Sequence, residues 1–225
     1  MTAVASVAPR AKPLRQWRRV ECVLIYLAAP VATTLLVASG DLAKWELPSA
    51  FLALFALSLF LLAITPGVSW RKLLLSHPVP AWRPALVFVV ATALGLLALT
   101  YVILPRGLFS FPRNAPEMWQ RVMIFYPLLS VLPQGIIFRA LFFARYRDLF
   151  PNARVAILAS AVAFSLAHLF FMNPMAVGLT FVGGLVFAWA HETKGSFWFG
   201  NLLHAFGGWT IFTVGLGRYF YHGAI

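Results

Sequence analysis

The chain has 225 residues, of which 61% are hydrophobic and only 11% are charged. A typical soluble domain is about 45–50% apolar and about 25% charged. Together with a mean hydropathy of +0.84, this composition excludes a disordered chain, a secreted disulfide scaffold and an ordinary soluble enzyme. It predicts a polytopic membrane protein.

The charge of the chain is strongly basic, with 18 Lys and Arg against 6 Asp and Glu and a formal net charge of +12. In a soluble domain, such an excess would favour nucleic-acid binding. Here the basic residues flank apolar segments, so we expect contacts with anionic lipid headgroups in the bilayer and no nucleic-acid partner. The single cysteine, Cys22, excludes an internal disulfide.

Seven apolar segments approach the roughly 20 residues that a helix needs to cross a membrane. They cover residues 20–39, 48–65, 84–104, 118–146, 153–171, 174–190 and 197–216. The first segment is longer than the apolar core of a signal peptide, so we expect it to be retained. The sequence therefore predicts an all-α bundle of about seven transmembrane helices.

The distribution of basic residues predicts the orientation of this bundle, because Lys and Arg concentrate in cytoplasmic loops. With the N-terminus in the cytoplasm, twelve of them fall in the inner segments and five in the outer ones. We therefore expect residues 1–19 to form a basic cytoplasmic N-terminus. Residues 20–117 would be N-terminal membrane helices, and 118–225 a functional core.

Three ionisable residues fall within predicted spans: Arg139, His168 and His204. A charged residue at the centre of a membrane helix costs about 2.5–3.5 kcal/mol on insertion scales, so each is a candidate functional residue. The alternative for Arg139 is a structural cation that bonds to backbone carbonyls or extends to the membrane interface. The alternative for the two histidines is hydrogen bonding between helices.

These residues stand in three motifs in which pairs four residues apart share a helix face. The motifs are Gln134-Gly135-x-x-x-Arg139, Phe164-x-x-x-His168 and His204-x-x-x-Gly208. They resemble the intramembrane CAAX-processing and bacteriocin-processing proteases, the CPBP family, whose motifs are Glu-Glu-x-x-x-Arg, Phe-x-x-x-His and His-x-x-x-Asn. The resemblance covers about the last hundred residues, so 118–225 would be a CPBP-like protease core.

The resemblance implies an intramembrane endopeptidase that cleaves membrane-associated or lipid-linked polypeptides. In its glutamic-type mechanism, a glutamate and the first histidine deprotonate a water, and the second histidine stabilises the oxyanion. A bacterial branch with Pro-Gln-Glu in the first motif, and glycine four residues after the last histidine, looks closer still. Gln134 and Gly208 are ordinary for that branch, which implies a bacterial inner membrane, whereas Gly135 replaces its glutamate.

The change at Gly135 leaves three functions open. The first is an active endopeptidase in which His168 acts as the base, with Gln134 and His204 orienting the reactants and Arg139 nearby. In a variant of this mechanism, Glu21 or Glu192 supplies the missing carboxylate. Alternatively, the protein is a catalytically inactive homologue that acts as a membrane binding or scaffold protein. A small transporter is a third possibility, which the lack of paired intramembrane acids and of internal repeats disfavours.

A metal site at His168 and His204 is the remaining chemical alternative, and the CPBP family is sometimes described as metal-dependent. Zinc usually takes three or four protein ligands. The sequence places no third strong ligand at a matching depth in the membrane. We therefore expect no metal and no other cofactor.

Overall fold

The computed structural model describes residues 12–42 and 46–220, and every regular element within these ranges is helical. Residues 1–11, which form most of the predicted basic N-terminus, lie outside the described residues. The predicted all-α membrane bundle is confirmed.

Seven long helices follow one another along the chain. They are α1 Arg15–Ser39, α2 Leu47–Ala63, α3 Trp82–Ile103, α4 Pro116–Leu149, α5 Ala153–Phe171, α6 Pro174–Lys194 and α7 Phe197–Val214. Five of them, α1 and α3 to α6, are long and apolar enough to cross a membrane. Helix α2 is also apolar but is shorter, with 17 residues. Helix α7 has 18 residues and is not among these five.

The starts of the last three helices are fixed by polar side chains at their N-termini. Asn152, Asn173 and Ser196 each accept a hydrogen bond from a backbone N–H in the first turn, at 3.0, 2.8 and 3.0 Å. Such a cap satisfies a donor that has no partner within the helix, and is typically worth about 1 kcal/mol. These caps allow the short connections that keep α5, α6 and α7 side by side.

Long-range polar contacts join the ends of different helices, and the segments beside them, at the two ends of the bundle. At one end, Arg147 pairs with Glu192 at 2.7 Å and the Ser196 hydroxyl donates to the backbone carbonyl of His77 at 2.5 Å. At the other end, Trp119 Nε1 donates to Thr213 Oγ1 at 3.1 Å. The segments around His77, Arg147 and Glu192 therefore meet at one end of the bundle.

Helix α4 is the centre of the bundle and contains two π-helical stretches, Pro127–Val131 and Ile136–Tyr146. Wider π-helical turns redirect side chains and occur frequently at functional sites. Backbone carbonyls of the second stretch bond to neighbouring helices: Tyr26 donates to Ile137 O at 2.7 Å, and Ser160 donates to Phe138 O at 2.8 Å. These two bonds hold the backbone immediately before Arg139.

Candidate active site

A cavity of about 570 Å³ lies between α3, α4, α5, α6 and α7. Most of its lining is apolar, and no Lys, Arg, Asp or Glu is among the described residues that line it. The polar side chains at its wall are Thr92, Tyr126, Ser130, Gln134, His168, Thr180 and His204. Helix α3, from the predicted N-terminal region 20–117, supplies part of this wall.

Both motif histidines pack on the same aromatic ring. The centroid of Phe164 lies 4.7 Å from that of His168 and 5.2 Å from that of His204. His204 also stacks on Phe187, with centroids 4.7 Å apart. The phenylalanine of the second motif therefore sets the positions of two imidazoles that come from different helices.

The hydrogen bonding of His168 defines which of its ring nitrogens carries the proton. Its Nδ1 lies 2.7 Å from the backbone carbonyl of Phe164. Because a carbonyl only accepts hydrogen bonds, Nδ1 carries the proton, and the Nε2 of the neutral ring keeps a free lone pair. His168 is thus held in the tautomer that a general base requires.

Gln134 brings an unpaired acceptor to the same cavity. Its Nε2 donates to Ser130 Oγ at 2.9 Å, whereas its Oε1 is buried without a hydrogen-bond partner among the described residues. His204 Nδ1 is buried and unpaired in the same way. Buried polar atoms are almost always satisfied by protein or by ordered water. At about 570 Å³, the cavity that these residues line has the space to hold a water.

Gly135 and Arg139 lie beside this cavity and are not part of its lining. The Arg139 side chain is only 2% exposed, and its Nη2 donates to Asn201 Oδ1 at 2.5 Å. A Cβ atom at position 135 would overlap with Asn201 Oδ1 and lie 2.8 Å from Arg139 Nη2. Position 134 therefore faces the cavity, whereas position 135 faces the Arg139–Asn201 pair.

The structure thus brings Gln134, His168 and His204 together and places Gly135 and Arg139 behind them. Sequence reasoning did not identify the partner of Arg139, which is Asn201, and it missed Tyr126 in the cavity wall. Tyr126, Ser130 and Gln134 follow one another at four-residue spacing. This pattern of one helix face is the signal that points to Tyr126.

The two acids considered as replacements for the missing glutamate are both bonded elsewhere. The Glu21 carboxylate accepts hydrogen bonds from Arg145 and Tyr146 at the end of α4. Glu192 accepts one from Arg147 at 2.7 Å. Neither acid lines the cavity, so neither is positioned to accept a proton there.

Metal-binding side chains are sparse around the two histidines. No group of three or more His, Cys, Asp or Glu that could hold a metal ion occurs within residues 12–42 and 46–220. Because zinc in proteins normally has at least three protein ligands, this donor set does not fit a metal centre.

The fold and the cavity define a multi-pass membrane protein with a histidine-containing site inside its helix bundle. Residues 116–210 match the family described as Type II CAAX prenyl endopeptidase Rce1-like. The matched segment contains all the predicted site residues, Gln134, Gly135, Arg139, His168 and His204. The match supports, at the level of the family, an intramembrane endopeptidase of the CAAX-protease type.

Comparison with curated proteins gives no match, and neither does comparison with solved structures.

Proposed function

We propose that the protein is an intramembrane endopeptidase that hydrolyses peptide bonds of membrane-associated or lipid-linked polypeptides in a bacterial inner membrane. The observation that carries this proposal is the convergence of Gln134, His168 and His204 on one cavity. This convergence lies within the segment that matches the endopeptidase family.

The reaction uses a water held between Gln134 Oε1 and His168 Nε2. His168 removes a proton from this water as its oxygen attacks the carbonyl carbon of the peptide bond. The imidazole N–H of His204 donates to the oxygen that becomes negatively charged. When the C–N bond breaks, the protonated His168 returns the proton to the leaving amine.

The apolar wall of the cavity favours apolar substrate segments. Most lining side chains are aliphatic or aromatic, with Phe88, Leu96 and Phe171 among them. A charged group entering this cavity would lose its hydration without an ion-pair partner, because no charged side chain is found among the described residues of the lining. We therefore expect cleavage within uncharged stretches of the substrate.

A catalytically inactive homologue that binds polypeptides is the second candidate. One observation favours it: the lining residues that the structure describes include no carboxylate. General-base assistance is typically worth about 10²–10⁴ in rate. A protein lacking it at this site would still bind an apolar segment in the same cavity.

The test compares new protein N-termini in membranes from otherwise identical bacterial strains. The strains express no protein, the given sequence, His168→Ala, Gln134→Glu or Gly135→Glu, with His77→Ala as a matched control because His77 is exposed outside the cavity. We expect products with the given sequence and with His77→Ala, and none with His168→Ala.

If no strain with an intact His168 yields cleavage products, peptidase activity is excluded and the binding protein is favoured. Products that persist in His168→Ala would overturn the proposed base. The comparison of Gln134→Glu with Gly135→Glu shows which of the two positions serves a carboxylate, because only position 134 lines the cavity.

A further inference from the structure

The space beside Gly208 is filled by a tyrosine from another helix. A Cβ atom built at position 208 would overlap with the Oη and Cζ atoms of Tyr126. Gly208 stands four residues after His204, where the motif of the resembling family has asparagine. A phenol group from α4 therefore occupies the place that a side chain on α7 would otherwise take.

The phenol ring is held rigidly between neighbouring rings. Its centroid lies 5.4 Å from that of Phe212 with an interplanar angle of 73°, and 6.0 Å from that of His204 at 89°. Edge-to-face packing of this kind fixes the orientation of an aromatic side chain. The ring of Tyr126 is therefore positioned directly against the second motif histidine.

The side chain of Tyr126 is part of the wall of the proposed active-site cavity. Tyr126 lines the cavity together with Gln134, His168 and His204. In the described ranges, its hydroxyl makes no hydrogen bond to another residue. A tyrosine hydroxyl in an apolar site normally finds a partner, since leaving its hydrogen-bonding capacity unused costs free energy.

We infer that the Tyr126 hydroxyl is a second oxyanion donor, which acts beside His204 in the hydrolysis proposed above. This inference rests on the proposed function. The water oxygen bonds to the carbonyl carbon, and the π electrons move to the carbonyl oxygen. Tyr126 O–H and His204 N–H both donate to this oxyanion and keep their protons. The C–N bond then breaks, the carbonyl re-forms, and His168 delivers the water proton to the leaving nitrogen.

The first experiment removes only the hydroxyl. Purified protein in liposomes is assayed with a fluorogenic peptide that spans a cleavage site found in the membrane experiment above. Removing one preorganised oxyanion donor typically lowers kcat by about 10²–10³. We expect this loss in Tyr126→Phe with little change in KM. The matched control is Tyr101→Phe, since Tyr101 on α3 is 67% exposed; it should retain full activity.

The second experiment transfers the donor to the other helix. Gly208→Asn alone should lower activity, because its side chain would overlap with the phenol, and Tyr126→Ala alone should lower it by removing the donor. The double variant Tyr126→Ala/Gly208→Asn has room for the amide and should recover at least tenfold over Tyr126→Ala. Gly178→Asn is the matched control, because a Cβ there has no atom of another element within 4 Å among the described residues. Melting curves in detergent report folding.

Each result decides the role of Tyr126. A Tyr126→Phe variant with unchanged kcat overturns this role and leaves the proposed endopeptidase intact. If the double variant shows no recovery and Tyr126→Phe also lowers the melting temperature, Tyr126 serves packing. That result also overturns its role as an oxyanion donor. If no strain with an intact His168 yields cleavage products in the membrane experiment, the endopeptidase proposal fails, and the role of Tyr126 fails with it.

Discussion

Arg139 and Asn201 form a buried pair between α4 and α7, with Arg139 Nη2 2.5 Å from Asn201 Oδ1. The amide is fixed at its other end, where Asn201 Nδ2 donates to Phe197 O at 2.9 Å. A neutral amide oxygen thus accepts the hydrogen bond of a cation that is 2% exposed. The absence of a side chain at Gly135 leaves the space in which this pair forms.

The first prediction concerns the coupling between Arg139 and Asn201. Replacing one partner leaves a buried polar group unpaired, so Asn201→Leu should cost about 1.5–3 kcal/mol in stability, the value of a hydrogen bond to a charged group. The double variant Arg139→Met/Asn201→Leu should lose less than the sum of the single variants. Denaturant unfolding in mixed micelles measures the four stabilities. Additive losses would show that the two side chains are not coupled.

The second prediction concerns the space at Gly135. A Cβ there overlaps with Asn201 Oδ1, so Gly135→Ala forces the Arg139–Asn201 pair apart and should destabilise the protein by about 1–3 kcal/mol. Gly178→Ala is the matched control, with open space around its Cβ. Alanine in an unhindered helix position is favourable by about 0.5–1 kcal/mol. Opposite shifts in melting temperature are expected, and equal shifts would contradict this geometry.

The third prediction distinguishes two routes to a carboxylate. Gln134→Glu puts an acid into the cavity beside His168, so we expect a rate increase, up to the roughly 10²–10⁴ typical of a general base. Gly135→Glu directs its side chain at Asn201 and Arg139, and we expect a smaller gain, with reduced stability. Cleavage of the fluorogenic peptide measures both rates. A larger gain from Gly135→Glu would mean that position 135 reaches the cavity after Asn201 moves.

The fourth prediction concerns access to the cavity. Gly95 lines the cavity on α3, and a Cβ there meets no atom of another described element within 4 Å. Gly95→Phe should therefore fold normally and fill part of the substrate space, which raises KM at least tenfold. Gly178→Phe places the same ring at an exposed helix position, and its KM should stay unchanged. Equal KM values for Gly95→Phe and the parent would show that substrate does not occupy this part of the cavity.

The fifth prediction concerns the acids outside the cavity. Glu21 accepts hydrogen bonds from Arg145 and Tyr146, so Glu21→Gln should cost about 1.5–3 kcal/mol in stability, as expected for bonds to a charged group. Its kcat should remain that of the parent, and so should that of Glu192→Gln. Thermal unfolding and peptide cleavage measure the two effects separately. A selective loss of kcat in either variant would identify that acid as a proton acceptor.

The helical membrane fold was predictable because hydropathy over about 20 residues is a local property of the chain. The predicted spans agree with the observed helices to within a few residues at most ends, and the largest difference is at α1, which begins at Arg15. The motif spacing likewise identified the two histidines that share Phe164. Neither result requires knowledge of how the helices pack.

The separate surroundings of Gln134 and Gly135 were decided by tertiary structure. Adjacent residues in a helix point in different directions, but only the packing of α7 against α4 determines that one meets the cavity and the other meets Asn201. Tyr126 fills the space beside Gly208 for the same reason, since 82 positions separate them in the chain. The sequence by itself determined the membrane bundle and its motif residues. The packing of the helices decided which of those residues line the site, because side-chain contacts between distant segments exist only after the chain has folded.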